Sequence, residues 1–277
     1  MKTIVLTNQK GGVAKTTTAY AIAVGLYNLG SKILIVDADP QSNLAFTAGV
    51  EDTQTNTLYD VLKGSIKPAD AVREIKPGLS IMFVGLQGTA ADMELVSRPG
   101  REYMIREAIE GSGDYDYCII DSAPALGLLT LNSLTAADIA IVPMSVEAYS
   151  LQGTEQLAGF IENIRKYTNP KLKVAGILLT RYNERLNITQ ALKGNVEKAA
   201  GILGTRVFDS KIRESVAVKE TQLMRSDLYS EAPKATATLD YQAFVAELAT
   251  KVLIYKIDEV IEDVEGKKHG NKKQKTT

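Results

Sequence analysis

The chain has 277 residues, 45% of them hydrophobic, enough for one large domain or two small ones with a real core. Its 32 basic and 33 acidic side chains leave a net charge of −1. This balance excludes a global basic field, so any nucleic-acid site must be a local patch, and the lone Cys118 excludes a disulfide framework and argues against a Cys-ligated cluster within one chain.

The first stretch, Thr3 to Thr18 (TIVLTNQKGGVAKTTT), reads as a strand, a phosphate-cradling loop and a helix. An apolar run at Ile4 to Leu6 leads into a glycine pair, and Ala19 to Leu29 reads as helical. Gly11 and Gly12 let the backbone turn N–H groups inward as a nest for anionic oxygens, and the helix adds its positive dipole end. Lys15 is placed to neutralise β- and γ-phosphate charge, and the Thr16 hydroxyl to hold Mg²⁺. The ordinary P-loop spacing is not met, because Gln9 and Ala14 stand at its two glycine positions. Instead Lys10 precedes GGVAKTT, and this box resembles the deviant Walker A motif, KGGVGKTT, of the ParA/MinD ATPases. The resemblance implies a nucleotide set of Lys10, Gly11, Gly12, Val13, Ala14, Lys15, Thr16 and Thr17. Ala14 replaces the family's last glycine, a change expected to work only at negative φ. The strand begins at Met1 with no room for a signal peptide, and no apolar run reaches bilayer length, so a cytoplasmic protein is expected.

Lys32 to Val36 is a strand buried on both faces, ending in Asp37-Ala38-Asp39-Pro40-Gln41. Acidic residues at the carboxyl end of a parallel strand lie where a metal-bound phosphate would sit. DADPQSN resembles the family's second box, which implies that Asp39 orients the attacking water and supports Mg²⁺, while Asp37 supports the loop. Short helices are expected at Thr57 to Lys63 and Pro68 to Ile75. A strand is expected at Leu79 to Val84, a surface loop with a helical piece over residues 85 to 98, and a helix at Glu102 to Glu110. Tyr117 to Ile120 then delivers Asp121, a Walker B pattern whose carboxylate contacts Mg²⁺ or its waters; DSAPALGLLTLNSL resembles the family segment that follows it.

Asp138 to Val142 is a further strand, Gln152 to Tyr167 a helix, and Val174 to Leu179 a strand ending in TRYN. The resemblance places Arg181 and Asn183 near the adenine. Thr205 to Phe208 is a short strand, and SKIRESVAVKET resembles the family loop and helix beside the nucleotide and the DNA-facing edge. It departs by lacking a Pro after Ile212 and by carrying Ala217 where relatives have arginine. Asp240 to Val264 is expected to be a closing helix. The polar, Lys-rich end of the chain reads as a tail.

Alternating strands and helices give an α/β fold, a doubly wound, mainly parallel sheet in one domain; the resemblance implies that this is a single ATPase domain over 1–255, with a helix end and tail over 256–277. The ParA resemblance, over about Met1 to Leu253, implies ATP and Mg²⁺ as ligands and a homodimer when ATP is bound, with Lys10 reaching across to the other subunit's phosphates. It further implies non-specific double-stranded DNA binding through Arg185, Arg213 and Lys219, a ParB-like centromere-binding partner, and nucleoid association. Three other readings compete. A MinD-like membrane switch would need a basic amphipathic C-terminal helix, whereas YKIDEVIEDVE is acidic. A dethiobiotin-synthetase-type ligase is opposed by DADPQ and Lys10. A nucleotide-gated regulatory module would make turnover incidental.

Overall fold

The continuous apolar runs become strands covered on both faces. In this computed structural model, which describes residues 1–51, 55–145, 151–182 and 189–253, eight strands form one sheet. They are β1 (Lys2–Leu6), β2 (Ile33–Ala38), β3 (Arg73–Lys76), β4 (Leu79–Phe83), β5 (Tyr117–Ser122), β6 (Ile139–Ser145), β7 (Lys173–Tyr182) and β8 (Val207–Arg213), in the order β3-β4-β2-β5-β1-β6-β7-β8. All pairings are parallel except β3 with β4, as expected for a mainly parallel, doubly wound sheet. The helices are α1 (Lys15–Asn28), α2 (Asn43–Thr47), α3 (Leu58–Leu62), α4 (Ala91–Glu94), α5 (Met104–Glu110), α6 (Leu128–Ala136), α7 (Leu151–Tyr167), α8 (Thr189–Ile202), α9 (Val216–Leu223), α10 (Leu228–Glu231) and α11 (Thr236–Lys251).

The period-2 alternation of the strands sends side chains into two cores. Val5, Val36, Ile120 and Val142 face a layer that includes Leu58, Ile105, Leu134 and Ile161. Ile4, Leu6, Ile35, Ile119 and Ile141 face Ile22 and Leu26 of α1 and Phe244 and Leu248 of α11. Helix α11 closes the second face, where the Phe208 and Phe244 rings meet edge to face at 5.0 Å.

Three expectations change. Pro68 to Ile75 is not a helix: only Pro68–Ala71 makes a 3₁₀ turn, and Arg73–Lys76 is an antiparallel edge strand with alternating half-buried and exposed residues. Pro77 and Gly78, with Gly78 at φ 85°, turn it back into β4. Strand β8 continues to Arg213, past the expected Phe208. It carries a bulge, opposing Ile177 with Val207 and then Leu179 with Lys211, whose Asp209 and Ser210 N–H groups donate to Glu247 at 3.1 and 2.9 Å. The closing helix begins at Thr236, four residues early, and is described to Lys251; the expected tail over 256–277 lies outside the described residues. Helix α8 occupies a stretch for which the sequence reading named no element.

The connection from β1 runs to β2 on one side, and β6 lies on β1's other side, so the order reverses beside β1. In such sheets ligands bind at the strands' carboxyl ends at this point. The loops after β1, β2 and β5 all emerge there.

Candidate phosphate and metal site

The loop from Asn8 to Ala14 is fixed by its own polar atoms. Asn8 Nδ2 donates to Pro143 O at 2.8 Å at the end of β6, and its Oδ1 accepts from Lys10 N at 3.1 Å. From β7, Thr180 Oγ1 donates to Val13 O at 3.0 Å. Gly12 sits at φ 75°, where a side chain would be strained. Ala14 has φ 61° and ψ 33°, so the expectation of negative φ is wrong. A left-handed alanine starts α1, and its methyl bears the steric cost that a glycine avoids. No side chain caps α1, which leaves its first N–H groups free for an anion.

Lys15 points back under the loop, its ammonium donating to Asn8 O at 3.1 Å and Lys10 O at 3.3 Å. It is 8% exposed. Burial pushes its pKa down, and the Asp121 and Asp39 carboxylates pull it back up.

Register brings the acidic residues together. Asp37 pairs with Asp121 across β2 and β5, and Asp121 pairs with Leu6 across β5 and β1. Asp37, fully buried, accepts Asp39 N at 3.2 Å with one oxygen and Leu44 N and Ala45 N, both at 3.0 Å, with the other. It therefore caps α2 and shapes the turn carrying Asp39, whose Oδ1 accepts from Gln41 N at 3.0 Å. Burial and the facing Asp121 hold the Asp37 pKa well above the usual carboxylate range. Asp121 is pushed up to about 7 by burial, with Asp39 adding to the rise and Thr16 and Lys15 opposing it.

Among the described residues, the buried side-chain atoms without a hydrogen-bond partner are Thr7 Oγ1, Ser42 Oγ and both Asp121 oxygens. All four follow or end β1, β2 and β5, at the carboxyl end of the sheet. A buried carboxylate lacking donors is costly, and a cation beside it removes that cost. The available donors, the Thr16 hydroxyl with the Asp121 and Asp39 carboxylates, are all oxygen and suit Mg²⁺. Among the described residues no group of three or more His, Cys, Asp or Glu is placed to hold a metal ion by itself.

The structure thus gathers Lys15, Thr16, Asp37, Asp39 and Asp121, with Lys10 exposed at the loop mouth. Lys10 makes none of the salt bridges of the described residues. Arg181 ends β7 at φ 50°, its guanidinium 3.1 Å from Glu214. Arg213 forks onto Asp240 at 2.9 and 2.6 Å, and Lys219 is exposed on α9. Asn183 and Arg185 lie outside the described residues. Sequence reasoning missed Asn8 and Thr180. An isolated polar residue at a strand end gives no cue to a partner more than a hundred positions away.

A family model described as an AAA domain matches residues 1–174. Chromosome partitioning protein ParA of Caulobacter vibrioides is 37% identical over 225 residues, covering 79% of this chain and 83% of that protein. Sporulation initiation inhibitor protein Soj of Bacillus subtilis is 33% identical over 254 residues, covering 90% and 98%. Among solved structures, cobyrinic acid a,c-diamide synthase from Mycobacterium smegmatis, with bound ATP analogue and magnesium, has a TM-score of 0.77 at 32% identity, covering 90% of this chain and 94% of that one.

Proposed function

The chain belongs to the ParA/Soj family of AAA-domain P-loop proteins, and from that premise we propose that it is a DNA-partitioning ATPase whose residues 1–255 act as one unit. The observation that best supports this is the buried Lys15 and the orphaned Asp121 carboxylate beside Thr16, at the uncapped N-terminus of α1.

The backbone N–H groups from Gly11 to Thr17 cradle the phosphates of ATP, and Lys15 leaves its loop carbonyls for the β- and γ-phosphate oxygens. Thr16, Asp121 and Asp39 hold Mg²⁺, which when bound neutralises charge on those phosphates. Asp39 orients the attacking water. Arg181 and Asn183 flank the adenine. Lys10, without a carboxylate of its own, reaches the phosphates of a second copy, and the extra charge of a triphosphate over a diphosphate couples dimerisation to the γ-phosphate. The dimer binds DNA phosphates without base readout, through Arg185, with Arg213 and Lys219 as further contacts. A ParB-like partner stimulates hydrolysis and so release. The protein works in the cytoplasm on the nucleoid; among the described residues no helix is long and apolar enough to cross a membrane.

The test is binding to random-sequence duplex DNA in ATP, in ADP and without nucleotide, with anionic liposomes as control. Binding only with ATP, lost in Lys10→Ala, is the expected result. No DNA binding in any state overturns the proposal: with ATP bound it favours a small-acid synthase, and with ATP-dependent liposome binding a membrane switch. Asp39→Ala separates turnover from gating, because it should keep ATP-dependent DNA binding and lose release.

A further inference from the structure

Helix α9 reaches the phosphate loop through one side chain. Gln222 Nε2 donates to Thr17 Oγ1 at 3.2 Å, across 205 positions of sequence. An amide nitrogen only donates, so Thr17 Oγ1 is the acceptor in this pair and its own proton is left to point elsewhere. Thr17 lies in the first turn of α1, half-exposed, one residue past Thr16 and beside the free N–H groups of the helix start.

The end of the helix is itself held in place. Three residues on, Arg225 takes a left-handed conformation at φ 53° and donates to Phe46 O at 3.3 Å and Val50 O at 3.1 Å. These carbonyls sit at and just beyond the end of α2, the helix capped by Asp37. The end of α9 is therefore tied to the Asp39-bearing segment while Gln222 is tied to the loop. The cavity that Thr16, Thr17, Gln222 and Asp227 share has about 20 Å³, room for one water. That space is too small for a ligand, and the contact Gln222 makes toward the phosphate loop is the one with Thr17.

We propose that Gln222 is a positioning residue for nucleotide binding: it occupies the acceptor side of the Thr17 hydroxyl and turns its proton toward the phosphates. This rests on the nucleotide-binding reading above. The isosteric Gln222→Met removes the donor, whereas Gln222→Glu reverses it, drawing the Thr17 proton away and adding negative charge.

Calorimetric titration of the full chain with Mg·ADP and Mg·ATPγS tests this. Loss of one neutral hydrogen bond predicts about three- to tenfold weaker binding by Gln222→Met, and a larger loss is expected for Gln222→Glu. In a Thr17→Val background the Gln222→Met loss should vanish, because no hydroxyl remains to orient, and the Gln222→Glu loss should shrink to what its added charge alone costs. A packing role predicts equal effects of Met and Glu that persist in that background, and this result overturns the proposal. So do variants that bind within twofold of the wild type. Unfolding midpoints read alongside identify a variant that fails to fold, and Thr17→Val alone then reports the same hydroxyl, with the same three- to tenfold loss expected and an unchanged affinity overturning the proposal. If the wild type binds neither nucleotide, the nucleotide-binding reading itself fails.

Discussion

Ala14 carries a steric cost that its neighbours impose. A left-handed alanine is less favourable by about 1–2 kcal/mol, partly offset by the greater chain entropy that glycine loses on folding. Ala14→Gly is therefore expected to raise the unfolding free energy by about 1 kcal/mol in a urea titration; a decrease would show that the left-handed conformation is not populated. Asp121 gives a pH signature. Its pKa is about 7 in the folded protein and about 3.9 in an unfolded chain, so the unfolded state ionises first as pH rises. The stability of the ligand-free protein should fall between about pH 4 and pH 7 by an amount on the order of a few kcal/mol, then level off. Asp37 acts in the same direction. The difference in unfolding free energy between wild type and Asp121→Asn, measured across this window, should shrink toward acid. A constant difference would contradict an elevated pKa.

At the scale of elements, α2 is too short to be stable alone. It is held by Asp37, which receives the N–H groups of Leu44 and Ala45 in its first turn, and by Arg225, which donates to Phe46 O near its end. Asp37→Ala should lower stability by about 1–2 kcal/mol and, by loosening the turn that presents Asp39, reduce ATP turnover more than ATP affinity. Equal losses in both would place Asp37 in binding rather than in positioning. The error at Pro68 to Ile75 belongs to this scale as well. Alternating residues over four positions are a weak signal, and the pairing with β4 decided the outcome.

For the whole molecule, a net charge of −1 means that the proposed DNA binding would have to use a local basic face. ATP-dependent binding should therefore fall steeply with salt. A weak salt dependence would argue against phosphate contacts. The sequence by itself determined the central strands, because fully buried strands read as unbroken apolar runs, but neither the edge strand β3 nor helix α8. It also determined the glycine-and-lysine loop and the strand-terminal Asp39 and Asp121, because phosphate and metal chemistry restricts residue types at fixed local spacing. Only the tertiary structure decided that Asp37 and Asp121 share a register, that Asn8 and Thr180 tie the loop to β6 and β7, that Arg213 is engaged by Asp240, and that Ala14 is left-handed. Those contacts join residues far apart in the chain, or set a dihedral through the packing around it, and local pattern carries neither.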